Sequence, residues 1–248
     1  MIYKTLREFD VANDGTLIVH SSYRRLGKVI DVRHCCRELA NYMEKGTVVM
    51  PTMTWRTVTP QQPVFDIVKT PSHVGILSEV FRTEFASHRS WHPTHSVAAI
   101  GSCAQELTSS HHLSHSPCSN QSPYGLIRNS SLLEDCYIMF IDVGLESCTF
   151  IHHYEEAYAP EIYLSNDIEN YDIHSDGEYL STTHTFRHRP LAKNFHHFIN
   201  EMTAGTDYMT SSIGDALILL MKADSLNKHL CQKFSESKYA SFSPYSYL

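Results

Sequence analysis

Several short motifs that mark common catalytic and cofactor sites are missing from this chain of 248 residues. Its ten glycines form neither G-x-G-x-x-G nor G-x-x-x-x-G-K-S/T, so the sequence predicts no Rossmann dinucleotide site and no P-loop. No G-x-S-x-G elbow is present, which disfavours a serine hydrolase of the α/β type. The ligand patterns H-E-x-x-H and C-x-x-C, which are typical of zinc sites, are also absent.

Long apolar runs are missing as well. No stretch approaches the roughly 20 consecutive apolar residues that a membrane helix needs. The N-terminus mixes polar and apolar side chains without the apolar region of a signal peptide, so we expect a cytoplasmic protein with no membrane partner. The net charge of −7 argues against nucleic acid as the main partner and mildly favours a cationic one.

Cysteine and histidine are the residue types that could carry a reactive thiol or hold a metal. The seven cysteines are odd in number, so reduced and mostly buried thiols are expected rather than a disulfide framework. For Cys148 we favour a packed residue over a nucleophile. The 17 histidines include a cluster at 111–115 in a serine-rich loop, but converging ligands with supporting partners are not evident. We therefore predict no metal site.

The first fifty residues follow a strand–helix–strand pattern. Residues 17–20 are an apolar run of strand length, and 29–45 carry apolar residues at helical spacing until Gly46 ends the helix. Residues 47–50 are a second apolar run, which Pro51 closes. Such a unit begins a parallel α/β fold. Further elements are expected as strands at 97–101 and 137–142 and as helices at 74–85 and 104–109.

The remaining segments are less regular. The long loop 51–71 leaves the carboxyl end of a predicted strand, where α/β sheets bind ligands. Residues 110–131 are predicted as loop, and 161–178 as an acidic, irregular segment. Residues 178–189 alternate as a strand does. Two helices are predicted to close the chain, at 193–202 and 213–230.

The stretch 148–156, which reads CTFIHHYEE, has the composition of a chemical site. It follows the predicted strand 137–142 and begins a helix that Thr149 can cap. His152 and Glu155 are three residues apart and therefore project from one face of that helix. The histidine can accept a proton near neutral pH, the carboxylate can orient it, and the helix end offers N–H groups to a negative oxygen.

A second polar loop follows the first predicted strand. Ser21, Ser22, Arg24 and Arg25 suit a phosphate or pyrophosphate group. An anion-binding loop beside a base favours group transfer to a nucleophile. In the alternative interpretation, the two serines cap a helix and His152 is a hydrogen-bonded core histidine. The residues favour the enzyme but leave both interpretations open.

The chain resembles the aminoglycoside 3-N-acetyltransferase family in segments that occur in family order. They lie at 17–27, 46–54, 65–66, 70–75, 81–83, 89–101, 122–124 and 149–155, and read LIVHSSYRRLG, GTVVMPTMT, FD, TPSHVG, FRT, RSWHPTHSVAAIG, SPY and TFIHHYE. The resemblance implies a single α/β domain over 1–248, with a central mixed sheet flanked by helices. It also implies direct acetyl transfer from acetyl-CoA to a primary amine of an amino sugar, with no acyl-enzyme and no metal.

The resemblance implies a role for each site residue. His152 would be the base that takes a proton from the amine, and Glu155 would orient His152 or hold the amine. Thr149 would cap the helix near the thioester. The residues expected to line the CoA site are His20, Ser21, Ser22, Arg24, Thr52, Thr54 and Ser96. The residues expected on the acceptor side are His95, Tyr124 and Glu156.

The acceptor is the part that the resemblance defines least. Segment 160–190, expected on the acceptor side, has little that matches the family. We favour a nucleotide-linked amino-deoxysugar for surface polysaccharide synthesis, of the O-antigen type, over an aminoglycoside whose acetylation would confer antibiotic resistance. An acidic segment argues for the aminoglycoside instead, because a polycation needs carboxylate partners. The segment contains Asp167, Glu169, Asp172 and Asp176, and its alternative interpretation is a solvated loop.

Two further protein classes stay open. One is a non-catalytic relative that binds CoA without turnover, although the presence of Thr149, His152 and Glu155 speaks against it. The other is a histidine-rich metal-binding protein. The sequence also leaves open the acyl chain length, the amine that reacts and the oligomeric state, for which a homodimer is one option.

Overall fold

Ten strands and nine α-helices are formed by residues 1–242, which the computed structural model describes. The strands are β1 Thr16–Ser21, β2 Thr47–Pro51, β3 Val64–Asp66, β4 His88–Arg89, β5 Val97–Gly101, β6 Cys136–Ile141, β7 Glu169–Ser175, β8 Glu178–Thr185, β9 Tyr208–Ile213 and β10 Ala216–Lys222. The α-helices are α1 Ile2–Glu8, α2 Tyr23–Leu26, α3 Val32–Tyr42, α4 Ile76–Val80, α5 Ala104–Ser109, α6 Pro123–Arg128, α7 Thr149–Tyr158, α8 Pro160–Tyr163 and α9 Ala223–Glu236. Helix α4 continues into a π-helical turn, Phe81–Phe85. Within these residues, no helix combines the length and the apolar character needed to cross a bilayer.

A seven-stranded mixed sheet runs through the centre in the order β4-β5-β2-β1-β6-β10-β9. Strand β1 pairs in parallel with β2 and β6, whereas the outer pairs are antiparallel. Strand β6 is buried along its whole length, because helices cover both faces of the sheet. The core on one face includes α1, α3 and α4, and the core on the other includes α5, α6, α7 and α9. The predicted α/β fold with a central mixed sheet is confirmed.

The predicted strand–helix–strand unit at the start of the chain is present as β1, α3 and β2. Asp31 begins α3 as its N-cap, and its carboxylate accepts the N–H groups of Arg33 and His34 at 3.0 and 3.1 Å. Of the apolar stripe that predicted this helix, Cys36, Leu39 and Met43 are buried, whereas Val29 is exposed and lies before the helix.

The helix predicted at 213–230 is wrong in its first half. Strands β9 and β10 form a hairpin there, and the helix α9 begins only at Ala223. Strand β10 pairs with β6, with Leu220 opposite Met139, so its apolar residues are buried against the sheet. Gly214, with a φ of 58°, begins the two-residue turn. A Gly-Asp pair after a β-branched residue indicates a hairpin. The helical spacing of Leu217 and Leu220 favoured a helix instead, and that prediction is wrong.

Three other segments differ from their predictions. The segment 161–178 is not wholly irregular, because it contains β7, whose Tyr171 and Ile173 are buried in a small second sheet of order β3-β7-β8. The predicted loop 110–131 contains α6, which Ser122 caps. The predicted helix 193–202 is a 3-10 helix over Phe195–Glu201.

Arg89 fastens the long loop after β2 to the central sheet. Its guanidinium is buried against the Phe65 ring, 4.8 Å from the ring centroid. It donates hydrogen bonds to four neutral oxygens: the carbonyl groups of Thr52, Ile67 and Thr70, at 3.2, 2.9 and 2.7 Å, and Ser96 Oγ at 3.1 Å. One side chain thus satisfies several buried backbone acceptors that have no strand partner.

Arg89→Met should lower the free energy of unfolding by about 3 kcal/mol, because buried carbonyl groups lose their donor. Chemical denaturation measures the change. Arg33→Met is the matched control, since Arg33 forms an exposed ion pair with Glu84 at 2.7 Å, and its loss should lower the free energy of unfolding much less. Equal losses in the two variants would contradict the role given to Arg89.

Candidate active site

The turn between β6 and α7 places His152 at the wall of a large cavity. Strands β1 and β6 are parallel and in register up to Ser21 and Ile141, so both end at the same edge of the sheet. The cavity has a volume of about 880 Å³. Its walls come from the loop 53–56, from His95 and from residues between 146 and 195, among them His152. The site lies where α/β sheets commonly bind ligands.

His152 and Glu155 form a hydrogen-bonded pair on α7. The Nδ1 atom of His152 lies 2.7 Å from Glu155 Oε2. Because an ionised carboxylate only accepts hydrogen bonds, Nδ1 carries the hydrogen of this bond, and in the neutral imidazole Nε2 has the lone pair. Nε2 makes no hydrogen bond to another residue in 1–242, and the His152 side chain is 22% exposed. This is the arrangement of a general base with an orienting carboxylate.

Lys193 binds the same carboxylate from the other side. Its Nζ atom lies 2.6 Å from Glu155 Oε2. Burial alone would raise the pKa of Glu155, but the charges and hydrogen bonds of His152 and Lys193 outweigh burial and lower the pKa to about 2. Glu155 is therefore ionised at neutral pH. No sequence pattern indicated Lys193 as a site residue, because it lies in an irregular segment without periodicity.

Glu156 forms a second carboxylate–histidine pair next to the first. Its Oε1 atom lies 2.5 Å from His188 Nε2, and Ser116 Oγ and the Cys118 N–H group donate to the carboxylate at 2.6 and 2.8 Å. Burial raises the pKa of Glu156 to about 7 against the effect of those two donors, and burial also lowers the pKa of His188 well below its ordinary value. Burial thus favours the neutral form of both groups. The His188 ring packs edge-on against His152, with 4.5 Å between centroids.

His95 lines the same cavity from the strand side. Its ring centroid is 5.5 Å from that of His188, and its Nδ1 atom is 2.9 Å from Thr94 Oγ1. Burial, and then the neighbouring His188 and His152, lower the pKa of His95 well below its ordinary value. Burial therefore favours neutral rings for both His95 and His188, which lie side by side in the cavity wall.

The loop after β1 faces a second cavity of about 840 Å³. Ser21, Ser22 and Arg24 line it, so the structure brings these three predicted CoA residues together. Ser22 precedes α2 but makes no capping hydrogen bond with its side chain. Trp55 and Arg56 line both cavities and therefore lie between them. Hydroxyl groups and cations of this kind suit phosphate groups.

Four other residues predicted for the CoA site line neither cavity. Thr52, Thr54 and Ser96 are fully buried, with Thr52 Oγ1 3.0 Å from Ser96 Oγ and Thr54 donating to the Pro93 carbonyl group. Their hydroxyl groups hold the loop after β2 from beneath. His20 stacks on Phe140 with 5.4 Å between centroids, and burial together with the His152 charge lowers its pKa to about 3.

Tyr124 and Thr149 also lie outside both cavities. Tyr124 is fully buried in the core, which contradicts its predicted position on the acceptor side. Cys148, not Thr149, is the N-cap residue of α7, and no side chain caps this helix. The N–H group of Ile151 already donates to the Cys148 carbonyl group at 3.1 Å, so this donor is not open to an anion. Burial raises the pKa of Cys148 to about 12, which leaves a neutral, packed thiol.

Two groups of side chains within 1–242 have donor atoms close enough to share a metal ion. They are Cys118, Glu156 and His188, and His152, Glu155 and His188. Their histidine and carboxylate atoms hydrogen-bond to one another in the structure, so a metal ion would have to replace these bonds. In the predicted 111–115 cluster, His111 is buried between Ser90 Oγ and the Pro117 carbonyl group, at 2.9 and 2.8 Å.

Glu156→Gln should remove part of the pH dependence of stability. The pKa of Glu156 is about 7 in the folded chain against an ordinary value of 4.5, so protonation favours folding. This contribution is fully present below pH 4.5 and is lost as the pH rises through 7, and it amounts to at most about 3 kcal/mol. Glutamine keeps the shape of the protonated acid.

We therefore expect the free energy of unfolding of the variant to fall less than that of the wild type between pH 4.5 and 7. Denaturation series across that range measure the difference. Glu44→Gln, at an exposed position, is the control and should follow the wild type. Parallel curves for all three proteins would contradict the assignment.

Known proteins are similar to this chain in sequence and in fold. The sequence model of the aminoglycoside 3-N-acetyltransferase family matches residues 18–235. The crystal structure of the YokD protein from Bacillus subtilis has a TM-score of 0.76 at 19% identity, over 95% of this chain and 98% of its own. The AAC-IIIb binary complex with CoASH has a TM-score of 0.78 at 19% identity, over 98% and 97%. AAC-VIa bound to sisomicin has a TM-score of 0.72 at 19% identity, over 93% and 94%.

The family match spans the β1 loop, both cavities and the whole of α7. It confirms the enzyme class that the sequence predicted, an acyltransferase. The similarity to the solved structures shows the fold, which has the same mixed sheet flanked by helices. On these findings, the chain belongs to the aminoglycoside 3-N-acetyltransferase family.

Proposed function

We propose that this protein transfers the acetyl group of acetyl-CoA to a primary amine of an amino sugar. The observation that carries the proposal is the His152–Glu155 pair, whose histidine lines the 880 Å³ cavity with Nε2 free of hydrogen bonds to residues 1–242. A second cavity adjoins the first at Trp55 and Arg56. Two joined cavities give each substrate a place, as direct transfer between them requires.

His152 acts as the base of this reaction. Its Nε2 atom takes a proton from the acceptor amine, and the amine nitrogen attacks the thioester carbonyl carbon. The C–N bond forms, the C–S bond breaks, and the CoA thiolate leaves and takes up a proton. Glu155 holds the Nδ1–H group and stabilises the imidazolium, while Lys193 fixes the carboxylate. The neutral thiol of Cys148 takes no part.

Coenzyme A binds along the loop after β1. Ser21, Ser22 and Arg24 offer hydroxyl groups and a guanidinium, and Lys28 adds an ammonium group in the same cavity. The AAC-IIIb structure with CoASH, which has the same fold, supports this cofactor. Acetyl-CoA as donor also supports the cytoplasmic location predicted from the sequence.

An aminoglycoside is the first acceptor to test. AAC-VIa, a structural relative, is bound to sisomicin in its structure. The acceptor would lie in the 880 Å³ cavity, between His152 and the wall that includes Ser165, Arg187 and Leu191. Ser165 and Arg187 belong to the segment 160–190, which we assign to the acceptor side of a single catalytic domain, and Leu191 follows it directly.

A nucleotide-linked amino-deoxysugar, the acceptor favoured by the sequence analysis, is the second candidate. The observation in its favour is the position of the acidic segment. Of the four carboxylates that were expected to suit a polycation, Glu169 alone lines the cavity, and Arg187 Nε lies 3.2 Å from its carboxylate. Asp176 instead pairs with Lys69, and Asp172 accepts a hydrogen bond from Thr182.

His152→Ala should lower the rate of acetyl transfer by about 10²–10⁴-fold, because the base is lost. CoA binding, measured by calorimetry, should stay close to that of the wild type, since His152 does not line the CoA cavity. His34→Ala, at an exposed position on α3, is the control and should keep full activity. Normal turnover in His152→Ala would remove the proposed base.

The acceptor is identified by thiol release from acetyl-CoA with two groups of compounds. One group contains aminoglycosides with a free 3-amine, and the other contains nucleotide-linked 3-amino and 4-amino deoxysugars. Turnover with one group alone assigns the protein to antibiotic resistance or to glycan synthesis, respectively. No turnover with either group, while CoA still binds, would contradict the proposed activity and favour a non-catalytic CoA-binding relative.

A further inference from the structure

Positive side chains predominate in the wall of the 880 Å³ cavity. Its charged lining, apart from the histidines, consists of four cations and two carboxylates: Arg56, Arg187, Arg189 and Lys193 against Glu146 and Glu169. A site that binds a polycation needs the opposite balance, because desolvated ammonium groups require carboxylate partners. The charge of this wall therefore bears directly on the class of acceptor.

Neither wall carboxylate is free to bind an amine of the acceptor. Glu169 is paired with Arg187 at 3.2 Å and also accepts a hydrogen bond from the Tyr171 phenol. Glu146 lies 2.8 Å from His196 Nε2, and it accepts the Gly144 N–H group at 2.9 Å. Each carboxylate thus has a partner within the protein. Arg187 and Lys193 are also paired, with Glu169 and Glu155, so the wall cations without an ion pair among residues 1–242 are Arg56 and Arg189.

Two hydrogen bonds to neutral groups hold the guanidinium of Arg189 in place, and no carboxylate among residues 1–242 neutralises it. Its Nε atom donates to the Leu164 carbonyl group at 2.5 Å, and Nη2 donates to Asn166 Oδ1 at 2.6 Å. Both partners are neutral, and Arg189 makes no ion pair with any residue in 1–242. The two bonds orient the guanidinium at the cavity wall before any ligand arrives. An oriented guanidinium without a carboxylate partner is suited to phosphate and carboxylate groups.

Arg56 adds a second unpaired charge to the same cavity. Its guanidinium lies over the Trp55 ring, 4.9 Å from the centroid, and it forms no ion pair with the residues that the structure describes. The side chain is exposed, so it can turn toward a ligand. The wall thus offers one fixed and one adaptable cation.

We propose that Arg189, assisted by Arg56, forms an anion subsite that binds a phosphate or carboxylate group of the acceptor. The acceptor class is then an amino sugar that carries a negative group in addition to its amine. The amine meets His152 while the anion meets the guanidinium, so both ends of the acceptor are fixed. This inference rests on the proposed function, because it names the acceptor of the same site.

The phosphate groups of coenzyme A are the other anions that Arg189 could bind. Arg189 lines the 880 Å³ cavity and not the second one, whereas Arg24 and Lys28 line the second one. We therefore assign Arg189 to the acceptor. Arg56, which lines both cavities, contributes to either ligand.

The test compares acceptors that differ in one anionic group: glucosamine, glucosamine 6-phosphate and the uronic acid of glucosamine. Thiol release gives kcat/KM for each sugar with the wild type, Arg189→Gln and the control Arg37→Gln. Arg37 is exposed on α3 and lines neither cavity. We expect the wild type to prefer an anionic sugar over glucosamine by at least about tenfold. Arg189→Gln should lose this preference and Arg37→Gln should keep it, and the KM for acetyl-CoA should be the same in all three proteins.

The other results either overturn the anion subsite or identify the anion that it binds. Equal kcat/KM for charged and neutral sugars, or a preference that survives in Arg189→Gln, overturns the subsite and leaves the acetyltransferase function in place. A raised KM for acetyl-CoA in Arg189→Gln, with the preference unchanged, assigns the guanidinium to CoA and also overturns it. A preference for phosphate over the uronate identifies the anion as phosphate, and the reverse identifies a carboxylate.

Failure of all three sugars to react would count against the proposed function for these acceptors, not against the subsite. Calorimetric titration of the CoA-bound protein with glucosamine 6-phosphate then tests the subsite without turnover. Binding to the wild type that is lost in Arg189→Gln and retained in Arg37→Gln supports it. No difference in binding between glucosamine 6-phosphate and glucosamine overturns it.

Discussion

The buried carboxylate of Glu155 is the group on which the active site depends. It binds His152 from its own helix and Lys193 from a distant, irregular segment through the same oxygen. Leaving a buried carboxylate without its partners costs on the order of 3–5 kcal/mol. The chain after β8 must therefore return to α7, and it carries Arg187, His188 and Arg189 to the cavity as it does so. The need of Glu155 for partners thus positions His152 and also brings the residues of the opposite cavity wall into place.

The base and most of the cavity lining lie on different parts of the chain, which explains how one fold can accommodate different acceptors. The sheet and α7 fix the base, while loops and the segment after α8 supply most of the cavity lining. Solved structures share the fold at about one-fifth identity, so the fold tolerates extensive change of sequence. Fold similarity alone accordingly does not identify the acceptor.

The parts of the structure that sequence reasoning predicted are those set by local patterns. Strands β1, β2 and β6 are uninterrupted apolar runs because both faces are buried, and the three-residue spacing of His152 and Glu155 alone indicated their contact. Strand β10 was mistaken for helix, since Leu217, Leu220 and Met221 also fit a helical spacing and only pairing with β6 decides between them. Lys193 and His188 reach the site from far along the chain, which no local pattern reveals. The hydroxyl groups of the β2 loop were assigned to CoA because a sequence does not show which way a loop side chain points.

The shared wall formed by Trp55 and Arg56 links the two substrates thermodynamically. Any ligand that fixes this pair in one cavity also fixes a surface of the other. The effect of CoA on acceptor affinity must then equal the effect of the acceptor on CoA affinity, because coupling free energies are reciprocal. Trp55 and Arg56, on a loop held by Arg89, would thereby couple the binding of one ligand to the binding of the other.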